Sequence, residues 1–129
     1  MTERPIANPD LNPEIEPYFA AAAEGRLLVK TCVGCGESFH YPRALCPFCH
    51  SAETEWRDAS GRGEIYAFTV LRRAPIPYAV ASVRLAEGPQ MITNIVDCDL
   101  DGLRSGMPVR VVFKPSIDGI AVPMFAPEE

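Results

Sequence analysis

The spacing of apolar positions divides the 129 residues into stretches of different character. Residues 1–13 are rich in proline and asparagine, have no apolar period, and predict a flexible or draped lead-in. A short apolar stripe at Tyr18, Phe19 and Ala22 follows, within a run of strong helix formers from Pro17 to Glu24 that Gly25 ends. Pro17 suits the first turn, where a missing N–H costs nothing, and Glu14 and Glu16 lie at the positive end of the helix. A helix this brief does not stand alone, so it must dock on its own domain or on a partner chain.

Strand patterns then take over. Arg26–Thr31 reads as one strand, Ser38–Tyr41 as a returning strand closed by Pro42, and Thr54–Ala59 as a half-exposed strand anchored by Trp56. Ser60-Gly61-Arg62-Gly63 is a turn and a module boundary. Beyond it, Glu64–Leu71 is apolar or β-branched on both faces, as expected of a long, bent strand buried on each side. Arg72–Pro77 is a loop, and Tyr78–Ala86 and Met91–Val96 flank the hairpin connection Glu87-Gly88-Pro89-Gln90. A turn of helix is expected at Leu100–Arg104, then strands at Val109–Lys114 and Ile120–Phe125. Five strands with a short link after the third predict a small Greek-key barrel of the OB type, although a sandwich has a similar pattern. The fold class is therefore mainly β, with an N-terminal helix and a C-terminal five-stranded barrel. The expected segments are residues 1–25 for the extension and helix, 26–60 for the middle module and 61–129 for the barrel.

The middle module holds the clearest chemistry. Cys32-Val33-Gly34-Cys35 and Cys46-Pro47-Phe48-Cys49 are two CxxC knuckles ten residues apart, the pattern of a zinc ribbon. Four thiolates at about 2.3 Å form a tetrahedral cage with no open position, so the ion is structural and not catalytic. Gly34 and Gly36 suit the first knuckle, whereas His50 stands where a glycine would turn most easily in the second. His40 and His50 are spare ligand candidates that read better as surface or packing residues. A disulfide framework needs an oxidising compartment, and the N-terminus has no basic and apolar signal peptide. A redox pair explains one CxxC but not two facing each other, while iron in place of zinc stays open.

Composition and charge narrow the partners. Mean hydropathy near zero, 47% hydrophobic residues and no bilayer-length apolar run predict a soluble, cytoplasmic chain without a membrane segment. The net charge of −5 disfavours nucleic acid, because phosphate-backbone affinity comes from releasing counterions with lysines and arginines. The charge is uneven, with residues 26–73 carrying a net +2 before any metal is counted. An anionic ligand belongs there. Arg72 and Arg73, in a loop with Tyr78, are the candidates to meet such an anion; the competing reading is a solvated loop.

The order of these features resembles a family of small proteins that join a helix, a rubredoxin-like zinc ribbon and a C-terminal OB-fold, long described as a domain of unknown function. The residues that carry the resemblance are Pro17-Tyr18-Phe19, Gly25-Arg26-Leu27, the knuckles with Gly36 and Tyr41-Pro42-Arg43, the Trp56 strand, Gly61-Arg62-Gly63-x-Ile65-Tyr66-x-Phe68-Thr69-Val70, and Gly106-Met107-Pro108-Val109. It covers nearly the whole chain. Phe19, where tryptophan is frequent, and His50, where a knuckle glycine is frequent, depart from the pattern. The resemblance implies an accessory subunit of acyl-CoA enzymes, paired with thiolase-like, ketosynthase-like or aldolase partners. In that reading the partner supplies the catalytic cysteine and histidine, and the small subunit completes the oligomer or helps to hold CoA, with Arg72, Arg73 and Tyr78 as the candidate contacts to it.

Two other functions compete. OB-folds and zinc ribbons recur in single-stranded nucleic-acid binding, where Phe39, Tyr41, Phe48 and Tyr66 would serve as stacking platforms. Cys98 would be the nucleophile of a stand-alone catalyst, but Asp97 and Asp99 beside it raise a thiol pKa, and a free cysteine is the simpler reading. No Ser-His-Asp order and no glycine-rich phosphate loop accompanies it. No catalytic residue is therefore expected on this chain.

Overall fold

In the computed structural model, residues 5–9, 13, 15–40 and 43–128 are described. The expectations for Glu14, Tyr41 and Pro42 lie outside them. Helix α1 spans Glu16–Ala23 with Pro17 in its first turn, and its end is closed by amides of Glu24 and Gly25 bonding back to Ala21 and Ala22. Gly25 has φ +81°, a left-handed cap that a residue without Cβ takes at little cost.

Strands β1 (Leu28–Cys32), β2 (Ser38–Phe39) and β3 (Thr54–Asp58) form an antiparallel sheet in the order β2-β1-β3, so the strand that enters the first knuckle is the central one. Trp56 lies opposite Lys30, whose ammonium sits 4.6 Å from the centre of the indole ring.

Strands β4 (Arg62–Leu71), β5 (Tyr78–Leu85), β6 (Gln90–Ile95), β7 (Pro108–Pro115) and β8 (Ala121–Pro127) close into a barrel in the order β4-β5-β6-β8-β7. Closure excludes the sandwich. It is completed by β4 against β7 and by the parallel pairing of β6 with β8 at Ile95 and Phe125, where Val96 N–H donates to Phe125 O at 2.8 Å. The connection from β6 to β7 carries a single 3₁₀ turn at Leu100–Gly102, two residues shorter than expected.

One correction concerns β4. Of its ten residues only Ile65 is fully buried, and Tyr66 is 56% exposed. The strand does bend, through a register shift between Ile65 and Ala67, but the closed barrel gives it a single inner face. Apolar residues on the other face therefore meet solvent.

Alternation along β5 turns Ala79, Ala81, Val83 and Leu85 inward to meet Ile65, Met91, Ile95, Val109 and Phe125. Two alanines in this row leave room for the fully buried Phe125. Gly63 serves the same tightness: a Cβ there would lie 2.5 Å from Arg84 O and 2.9 Å from Val83 Cγ1. Tyr18 and Ala21 of α1, with Leu27, Leu28 and Val29 at the base of the ribbon, belong to this same core. On β8, Met124 and Ala126 are buried on the face opposite Phe125, at the strand against which α1 packs. Within the lead-in, residues 5–9 are draped on the barrel: Ile117 N–H donates to Ile6 O, and the Asn8 amide bonds Ser116 and Asp118 in the β7–β8 turn.

Candidate metal centre

Cys32 ends β1 and the other three cysteines sit in the two knuckle turns that follow β1 and β2. The knuckles repeat one hydrogen-bond geometry. Gly36 N–H donates to Cys32 O at 2.8 Å, and His50 N–H donates to Cys46 O at 2.9 Å. Each donor residue has positive φ, +79° for Gly36 and +65° for His50. His50 thus takes the conformation for which glycine is suited and carries the steric cost of its Cβ. Gly34 needs no such freedom; a Cβ there would make ordinary contacts.

The four Sγ atoms lie within 4.8 Å of one another, with Cys32 to Cys49 at 3.5 Å and Cys35 to Cys46 at 3.7 Å. Ligands about 2.3 Å from a tetrahedral ion stand roughly 3.8 Å apart, so the cluster fits a metal without rearrangement. Amides of Cys35 and Phe48 point at the sulfurs of Cys32 and Cys46, each at 3.4 Å. Burial pushes the Cys46 thiol up, but the amides of Cys49 and Phe48 and the neighbouring thiols draw it down further, to about 7. At Cys35 the Glu37 amide acts downward, yet desolvation and the three other thiols hold the proton up to about 12. A divalent ion resolves this crowding by replacing the protons. Cys32 and Cys46 are buried around Phe39, while Cys35 and Cys49 face solvent.

Neither spare histidine is grouped with the four sulfurs. His50 is exposed, whereas His40 is half-buried against α1, with its Nε2 2.9 Å from the Tyr18 hydroxyl. Their rings are 5.4 Å apart. This latch between helix and ribbon had no sequence signal beyond the two aromatic residues, because its partners are 22 positions apart.

Arg72 and Arg73 occupy the β4–β5 loop and Tyr78 begins β5 opposite Leu71. Arg72 is engaged with Asp101 at 2.8 Å, both side chains exposed; Arg73 is exposed and Tyr78 half-buried. The loop thus carries a cation already matched by a carboxylate and one that forms no ion pair among the described residues. Of the four stacking candidates, Phe39 is buried against Cys32 and Cys46 and cannot receive a base, while Phe48 and Tyr66 are exposed. Cys98 is raised by desolvation first and then by Asp99 and Asp97, the opposite of what activates a thiol nucleophile. No described helix is long and apolar enough to cross a membrane.

An N-terminal helix, a four-cysteine metal ribbon and a closed five-stranded OB barrel, in that order, are the class of protein that this fold and site define. Within that class the chain belongs to the ChsH2 family, whose members are also described as DUF35 proteins. Residues 19–55 match the ChsH2 rubredoxin-like zinc ribbon domain, and residues 56–114 match the ChsH2 C-terminal OB-fold domain. A probable enoyl-CoA hydratase alpha subunit of Thermomonospora curvata is 32% identical over 124 residues, which cover 92% of this chain. The match spans only 39% of that relative's length. A DUF35 domain-containing scaffold protein of Methanothermobacter thermautotrophicus is 36% identical over 90 residues, covering 64% of this chain and 68% of that protein. Among solved structures, the Ltp2-ChsH2(DUF35) aldolase contains a chain that superposes with a TM-score of 0.83 at 32% identity, over 93% of this chain and 98% of that one. A DUF35 protein of Sulfolobus solfataricus with unknown function superposes at 0.67 and 13% identity, a likeness of fold alone.

Proposed function

We propose that this chain is a non-catalytic accessory subunit of a thiolase-like enzyme complex that forms or cleaves a carbon–carbon bond in an acyl-CoA. The observation that carries the reading is the near-complete superposition on a chain of the Ltp2-ChsH2(DUF35) aldolase. The relatives named as scaffold proteins support the accessory role, and the one named as an enoyl-CoA hydratase subunit supports acyl-CoA as the substrate class. The chain's own chemistry agrees: its four grouped thiols are best used by a closed metal cage, and its remaining thiol is deactivated by burial and two carboxylates.

In this reading one zinc ion is held by Cys32, Cys35, Cys46 and Cys49 and is structural. The catalytic residues are on the partner, and the complex works in the cytoplasm. Residues 1–25, 26–60 and 61–129 are segments of one assembly that share a core, not independent folding units. Arg72, Arg73 and Tyr78 are the proposed contact to CoA, with phosphate competing against Asp101 for Arg72.

The test is purification from the native host under conditions that keep partners bound, followed by identification of the co-purifying chain and metal analysis. A thiolase-like enzyme and about one zinc per chain are expected. Acyl-CoA turnover by the isolated chain that is lost in Cys98→Ala would overturn the non-catalytic assignment.

A further inference from the structure

One outer face of the barrel carries residues that the fold does not use. Outward positions of β4, β5 and β6 follow from the register: Ala67 lies opposite Ser82 and Ser82 opposite Ile92, with Arg84 one outward step along β5. Tyr66, at the register shift of β4, is thrown to the same side, and the Arg84 guanidinium lies 4.9 Å from its ring centre. Tyr66 is 56% exposed and Ile92 72% exposed, so two large apolar side chains and an arginine stand together on a rigid, closed sheet.

The charge next to this patch is the second observation. Arg62 is the register partner of Arg110 across β4 and β7, while Arg84 lies opposite Glu64 across β4 and β5 and diagonal to Arg62. Like charges placed opposite each other destabilise a sheet. Within the fold Glu64 and Glu128 offset part of this charge. Arg62 reaches Glu128 at 3.6 Å, and among the described residues Arg84 and Arg110 form no ion pair. By contrast, Arg26, Arg57, Arg72 and Lys114 each hold a carboxylate closely. A chain with net charge −5 thus keeps three arginines, tempered by Glu64 and Glu128, beside exposed Tyr66 and Ile92.

Tyrosine and arginine are the residue types that most often anchor protein interfaces, and a rim of opposite charge sets orientation and association rate. We infer that the β4–β5–β6 face is the surface that docks the partner enzyme subunit, through Tyr66 and Ile92 seated in an apolar recess and carboxylates facing Arg62, Arg84 and Arg110. The inference rests on the accessory-subunit reading and adds the place and chemistry of the contact. The rival surface is the ribbon tip, where Val33, Leu45 and Phe48 are exposed but no aromatic–arginine pair accompanies them.

The probe is the purified thiolase-like subunit obtained by the co-purification described above, titrated with the zinc-loaded chain by calorimetry. Tyr66→Ala and Ile92→Asp are expected to weaken binding at least about tenfold, with unfolding midpoints unchanged because both side chains are exposed. Arg84→Glu with Arg110→Glu slows association and removes most of its salt dependence, and Phe48→Ala at the ribbon tip binds as the wild type does. If the wild type binds while the three barrel-face variants bind equally well, the face is wrongly assigned and the accessory reading survives. If the wild type fails to bind, both fall.

Discussion

Acid should loosen the hold of α1 on the ribbon, through His40. Burial lowers this imidazole from 6.5 to about 4, while Tyr18 meets its Nε2 at 2.9 Å. The unfolded chain takes up a proton near 6.5 and the folded chain only near 4, so between these values the unfolded state holds more protons. Stability is therefore full above the unfolded value, falls as pH drops through that window, and is lost by the time the folded value is passed. Inserting the two values, going from pH 7.5 to pH 5.0 removes about 2 kcal/mol, an upper figure because the ring is half-buried and water screens its charge. The assay is denaturant unfolding of the wild type and His40→Gln at both pH values, with metal content monitored. Glutamine can bond the Tyr18 hydroxyl but cannot titrate in this range. Acid effects on the thiolates act on both proteins and cancel in the difference. The stability advantage of the wild type should shrink by about 1–2 kcal/mol on acidification; an advantage that stays constant refutes the argument.

Chelation of the ion, or Cys46→Ser, should lower the unfolding midpoint of the chain and release the partner before any change in chemistry, since apparent binding free energies of such sites are on the order of 10 kcal/mol; calorimetry and size-exclusion of the complex read both. Gly63→Ala should lower stability by about 1–3 kcal/mol, because the new Cβ meets backbone at Arg84 O and the rim of Val83, neither of which can retreat freely. Phe125→Ala removes the largest fully buried side chain of the barrel and should cost about 3–5 kcal/mol in a denaturant titration. Reversing Arg72 and Arg73 to glutamate should weaken CoA binding to the complex by about tenfold; unchanged affinity in a direct titration would show that the loop is merely solvated.

What could be read from the sequence was what depends on short spacing. The two CxxC pairs announced the metal cluster because each knuckle is a local turn, and strand alternation announced the barrel because inward and outward residues differ in β5 and β6. The reading of β4 failed for a physical reason: apolar content on both faces is the signature of a strand covered on both sides, yet it also appears where a strand keeps an outward apolar patch. Only closure of the barrel distinguishes the two cases. The hydrogen bond of Tyr18 to His40, the shared core of α1, the ribbon base and the barrel, and the alignment of Arg62 with Arg110 all depend on distant register. No local pattern encodes such contacts.

Strand β1 explains why a metal so far from any chemistry can matter to assembly. At one end it supplies Cys32, buried in the cage beside Phe39; at the other, Leu28 and Val29 enter the core that holds Ile65, Phe125 and Tyr18. It is also the middle strand of its sheet, hydrogen-bonded on both sides. An ion that fixes Cys32 therefore fixes the strand that seats α1 and covers part of the barrel, and ordering these elements before a partner arrives removes an entropic cost from binding. In the accessory-subunit reading proposed above, the cysteines act on function by setting how the helix and barrel are held, and a closed four-thiolate site suits a chain that presents surfaces and leaves the reaction to its partner.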